Sequence, residues 1–223
     1  MEKRDLLGSL SKRSRLGSTD YPRVGLFTDT TADSDSAGKL ARNLGRFAEL
    51  RGLAMTLHAS SSHPELATNW RHFNPVIDEK IPAIPSGIKI PPILEVLEYA
   101  DRKQFDLILL NTAGPMALCG CLVAKMLRCP VIAIFHDDLP ARMLEMTGGD
   151  FRVTAALEGY ISWFYRSATR VLAHGHAADK ISGIQLQRLP AEETVEAIWD
   201  ACTTLCPVSR DEPQTTPMEV ASV

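Results

Sequence analysis

Apolar residues in this chain fall into short unbroken runs, separated by segments with helical spacing. Residues 23–28 (RVGLFT), 53–59 (LAMTLHA), 105–111 (FDLILLN), 129–135 (CPVIAIF) and 169–173 (TRVLA) are continuously rather than alternately apolar. That is the pattern of strands covered on both faces. Between the first two, Leu40, Leu44, Phe47 and Leu50 recur at helical intervals. They predict a helix over 37–51, with Gly52 as its left-handed stop. The same reading predicts helices over 92–103, 115–127, 151–166 and 190–205. Pro190 opens the last of these, and Glu192 and Glu193 suit the dipole of its first turn. The Pro-rich stretch 60–88 is predicted to hold short strands such as 74–77, and 169–173 is read as the last strand.

Strand alternating with helix predicts one α/β domain over residues 22–206, a three-layer α/β/α sandwich around a mostly parallel sheet. Residues 1–21 are polar and basic, with Lys3, Arg4, Lys12, Arg13 and Arg15, and 207–223 lack apolar periodicity. Both are expected to be disordered tails.

Composition narrows the function classes. No apolar run approaches the roughly 20 residues of a membrane-spanning helix. The first residues lack the apolar centre of a secretory signal. Net charge is −3, so a global electrostatic footprint for nucleic acid is absent. The 5 cysteines form no CxxC pair, and Cys119, Cys121 and Cys129 lie in apolar surroundings. Together these predict reduced, mostly buried thiols and a cytoplasmic protein with at most peripheral membrane contact.

Ligands of parallel α/β sheets bind at the carboxyl ends of the strands, which directs attention to four loops. After the first strand, Asp29-Thr30-Thr31-Ala32-Asp33-Ser34-Asp35-Ser36-Ala37-Gly38 opens a helix. Its backbone N–H groups can hold an anion or a sugar hydroxyl, or Ser34 or Asp35 can simply cap the helix. The segment is neither GxGxxG nor a Walker A loop. Next, Thr112-Ala113-Gly114-Pro115 combines a tight turn with a proline suited to a first helical turn. There Asn111 and Thr112 either contact a ligand or cap. After 129–135, His136-Asp137-Asp138 places a histidine beside two acids, suited to proton transfer, to orienting a polar ligand, or to bracing the loop. Last, His174-Gly175-His176 with Asp179 nearby is a weak match to a metal site, and no metal is expected.

Four of these pieces together resemble the N-terminal, acceptor-side domain of family 4 GT-B glycosyltransferases: RVGLFTDT at 23–30, FDLILLNTAGPMAL at 105–118, PVIAIFHDDLP at 130–140 and FYRSATRVLAHG at 164–175. The resemblance implies a Rossmann-like domain facing a cleft, with His136 as the catalytic histidine. It implies substrate contacts from Asp29, Thr30, Gly38, Thr112, Gly114, Asp137, Asp138 and His174. It departs from the family pattern in the first loop, where DSDSAG replaces a glycine pair, and at His174-Gly175-His176. No donor-binding Rossmann unit is expected within residues 177–223. The amphipathic helix over 190–205, with Val195, Ile198, Trp199 and Cys202 on one face, matches the family's crossover helix.

Two functions follow as expectations. One is the acceptor-side half of a split glycosyltransferase of hexosyltransferase type, inactive alone and completed by a separate donor-binding chain. The other is a non-catalytic binding or regulatory module derived from such an enzyme. The partners implied are a donor-domain protein or a second copy, and a sugar or glycolipid acceptor, with no nucleic acid and no resident cofactor. A metal-dependent hydrolase using His136, Asp137, His174 and His176 is a third, weaker reading.

Overall fold

The computed structural model describes residues 21–32, 35–60, 68–81, 84–136, 148, 150–174, 184, 186–190 and 194–206. These belong to one compact unit, Tyr21–Val208. The tails expected to be disordered lie outside the described residues, as do Asp137, Asp138, Gly175, His176 and Asp179.

The elements run β1 (Val24–Thr28), α1 (Ser36–Arg51), β2 (Met55–Ser60), β3 (Trp70–Phe73), β4 (Ile77–Ile81), β5 (Ile84–Ile90), α2 (Ile93–Lys103), β6 (Leu107–Leu110), α3 (Pro115–Leu127), β7 (Val131–His136), α4 (Phe151–Arg166), β8 (Arg170–His174), β9 (Leu186–Arg188) and α5 (Thr194–Leu205). Seven strands form one sheet in the order β3-β2-β1-β6-β7-β8-β9, and every pairing in it is parallel. Strands β4 and β5 form a separate antiparallel pair.

Continuous apolar strands require cover on both faces, and both faces are covered. On one, α2, α3 and α4 pack Val96, Ala100, Met116, Val123, Ile161 and Phe164 against Phe27, Ile108 and Phe135. On the other, α1 and α5 pack Leu40, Leu44, Ile198 and Trp199 against Leu26, Leu57, Leu109 and Ile134. The fold is thus a Rossmann-like three-layer sandwich. Helix α1 stops at Gly52, whose φ of 62° is left-handed, as its sequence predicts.

Two expectations are corrected. Residues 74–77 do not form one strand: Asn74, Pro75 and Val76 link β3 to β4, which opens at Ile77, because proline suits a connection better than a ladder. The strand at 170–174 is not the last, since β9 adds a further edge strand beside it; its three residues carry no apolar run. The terminal helix is described over Thr194–Leu205, and the Thr194 hydroxyl donates to the Pro190 carbonyl at 2.7 Å; residues 191–193 lie outside the described residues.

Candidate functional site

The carboxyl ends of β1, β6 and β7 lie side by side, and a continuous hydrogen-bonded network joins them. His136 closes β7 and is 5% exposed. Its Nε2 lies 2.9 Å from the Asn111 carbonyl. A carbonyl only accepts, so Nε2 carries the proton and Nδ1 is left as an acceptor, 3.4 Å from the Ser36 hydroxyl. Asn111, fully buried at the end of β6, donates from Nδ2 to Thr28 Oγ1 at 3.1 Å and to the Ala37 carbonyl at 2.8 Å. Thr28 Oγ1 in turn donates to the Thr30 carbonyl at 2.9 Å, and Thr30 Oγ1 donates to Asp35 Oδ2 at 2.7 Å. Buried polar groups of this kind are costly unless paired, and here each is paired with the next.

The N-termini of α1 and α3 at this edge are occupied by the chain's own carboxylates. Asp35 caps α1 by accepting from the Gly38 N–H. Asp29 lies across the start of α3, accepting from the Gly114 N–H at 3.1 Å and the Met116 N–H at 2.6 Å. The Thr112 hydroxyl donates to Asp29 Oδ2 at 2.6 Å and accepts from the Asp29 N–H at 3.0 Å. Burial pushes the Asp29 carboxyl above its usual range, opposed by the donors from Thr112, Met116, Ala117 and Gly114. Tyr160 on α4 donates its hydroxyl to the Ala113 carbonyl at 2.6 Å. Burial first and the Asp29 charge second raise its pKa.

Two glycines make this packing possible. A Cβ on Gly114 would stand 2.6 Å from the Asp29 carboxylate carbon, and one on Gly38 would stand 2.0 Å from the Ala32 carbonyl oxygen. Only glycine lets the loop after β1 settle on α1, or the Asp29 carboxylate reach α3.

The structure thus brings together His136, Asp29, Thr30, Gly38, Thr112 and Gly114 on one edge. His174 sits opposite His136 in the β7–β8 register. Within the network Asp29, Thr30, Gly38 and Gly114 hold the loops in place. Asn111, Ser36 and Thr28 join the site as well. Asn111 and Thr28 had a sequence signal, since each is a polar residue ending an apolar strand. Ser36 had none beyond its place at a helix start. The Cys119 and Cys129 thiols are pushed up to about 11 by burial, which suits core packing rather than nucleophilic chemistry. Among the described residues no group of three His, Cys, Asp or Glu can hold a metal ion, and no helix is long and apolar enough to cross a membrane.

A parallel sheet covered on both faces, with a polar network at its carboxyl edge, defines a Rossmann-like α/β domain. The family model for Glycosyltransferase Family 4 matches residues 37–181, well over half of the 223 residues. The chain belongs to glycosyltransferase family 4. Among solved structures it is similar to an alpha-glucosyltransferase in complex with UDP and a 13-mer DNA containing a central A:G mismatch, with 14% identity and a TM-score of 0.40. That match covers 75% of this chain and 40% of the other, so the chain spans less than half the length of that structure. No curated protein matches.

Proposed function

We propose that this domain is the acceptor-side half of a glycosyl-transfer site, completed by a donor-binding domain on a separate chain. The observation that carries this reading is the occupation of the N-termini of α1 and α3 by Asp35 and Asp29. In sheets of this kind a ligand diphosphate rests on such an N-terminus. Here the N–H groups already hold carboxylates, and a diphosphate would meet like charge. The donor's diphosphate is therefore held by the other half, and this edge keeps the acceptor. His136 Nδ1 has the lone pair, and the Asn111 carbonyl holds the ring in the tautomer that can take a proton from an acceptor hydroxyl at the position Ser36 Oγ now approaches. Asp137, Asp138 and His174 remain candidates for acceptor contacts around it.

The test is calorimetry with a panel of nucleotide sugars, on the chain alone and together with the proteins recovered with it by pull-down. Donor binding and transfer are expected only with the second chain. In that assembly His136→Ala is expected to lower transfer about 10²–10⁴-fold, the usual contribution of a general base, while donor binding persists. A second reading, the non-catalytic module, is favoured by the same histidine's near-complete burial with both ring nitrogens engaged. It predicts acceptor-type binding without donor binding or transfer under any condition, and a His136→Ala variant that binds as the parent does.

A further inference from the structure

A helix packed on a sheet ordinarily turns charged residues to water. Helix α4 does so with Arg152, Glu158 and Arg166 and buries Ile161, Phe164 and Tyr165 on its inner face, yet a row of apolar residues also runs along its outer side. Phe151, Ala155, Gly159 and Trp163 follow one another at four-residue spacing along the exposed side. Phe151 is 83% exposed and Trp163 is 54% exposed. Helix α3, beside it on the same sheet face, repeats the arrangement with Leu122 and Met126 exposed. The two helices are tied together where Tyr160 reaches the Ala113 carbonyl. Among the described residues, the exposed charges on this face and its ends are Lys125, Arg128, Arg152 and Arg166, against Asp150 and Glu158. The face is therefore basic on a chain whose net charge is −3.

We propose that the outer face of α3 and α4 seats this domain on an anionic lipid surface. Exposed Phe, Trp, Leu and Met with arginine and lysine around them match an acyl boundary under acidic headgroups. A second copy fits less well. A two-fold contact through this face would bring its basic residues against themselves. A donor-binding partner belongs at the carboxyl edge of the sheet, not on the outer side of these helices. The proposal needs no sugar transfer, so it stands or falls apart from the function proposed above.

The experiment is co-sedimentation of the full chain with phosphatidylcholine vesicles, with and without phosphatidylglycerol, alongside quenching of tryptophan emission by brominated lipid. Of the three tryptophans, Trp199 is buried, Trp70 is partly covered and Trp163 is exposed. Expected are binding to the anionic vesicles only, quenching that disappears in Trp163→Phe, and partition weakened at least about fivefold for each of Arg152→Glu and Arg166→Glu. Phe151→Ser, at a fully solvated position, is expected to weaken it too. Circular dichroism checks that each variant is folded. The proposal is overturned by the absence of anionic-vesicle binding, or by binding that these substitutions leave unchanged, which would assign it to the basic N-terminal residues. It is equally overturned by a dimer in sedimentation equilibrium that shields Trp163 from aqueous quencher.

Discussion

Asp29 works across the sheet, not along its own loop. Its carboxylate closes the N-terminus of a helix that begins more than eighty residues later in the chain, with the Met116 N–H at 2.6 Å and the Thr112 hydroxyl at 2.6 Å. Removing it leaves backbone donors of the first turn of α3 and a hydroxyl without their acceptor. Asp29→Ala is expected to lower unfolding free energy by about 1–2 kcal/mol, the range for lost helix caps, read as a shifted midpoint in urea denaturation. Asp29→Asn keeps one acceptor oxygen and should fall between the two. The loop's acidic character was plain in the sequence. Which acid met which helix was not, because Asp29 finds α3 only through the β1–β6 pairing, a contact of long sequence separation.

At the scale of elements, α5 shows how a stripe of side chains finds its surface. Ile198 and Cys202 are fully buried and Trp199 is 7% exposed, on the sheet face that also holds Leu40 and Leu44 of α1. Tyr21, just before β1, adds a tilted ring contact to Trp199 at 6.0 Å between centroids. Trp199→Ala is expected to cost about 3–5 kcal/mol, measured by thermal or chemical denaturation. The residues of this stripe are readable in the sequence, as are α3 and α4, whose limits match their apolar periodicity and the proline at the start of α3. The weakly patterned pieces are not readable in that way. Strand β3 has an exposed Arg71 and half-buried Trp70 and His72, and β9 is largely exposed. As edge strands they are fixed by backbone pairing with a neighbour, which leaves little trace in hydrophobicity. The polar network at the carboxyl edge was legible only as candidate residues; the order of its links depends on the sheet register.

For the molecule as a whole, His58 is expected to contribute to how stability responds to acid. It lies in β2, fully buried, stacked on Phe27 at 4.4 Å and met edge-on by Tyr99 and Phe105. Nδ1 lies 3.1 Å from the Leu26 carbonyl, and Nε2 has no hydrogen-bond partner among the described residues. Burial lowers its pKa to about 3 from an ordinary 6.5, with Arg71 and Lys103 pushing the same way and the Leu26 carbonyl opposing. Below pH 6.5 the unfolded chain takes up this proton while the folded chain remains neutral until about 3. Stability contributed by the neutral ring is therefore fully present above 6.5 and is lost as pH falls through that window, by at most about 1.4 kcal/mol per pH unit. Urea midpoints measured from neutral pH downward should show this slope, and His58→Phe should flatten it. A slope unchanged in that variant would assign the acid sensitivity to other groups.

An interior strand has a consequence for how the chain is made. β1 lies inside the sheet, between β2 and β6, and Val24 pairs with Leu107. A ribosome adding about 5–20 residues per second therefore releases β1 several seconds before its second neighbour exists. During that interval Val24, Leu26 and Phe27, all fully covered in the finished fold, have one open strand edge and an unfinished helical layer. Parallel sheets close late for this reason. The nascent chain needs that edge shielded until β6 and β7 emerge, which makes the period of synthesis, more than the mature fold, the stage at which this protein is most exposed to aggregation.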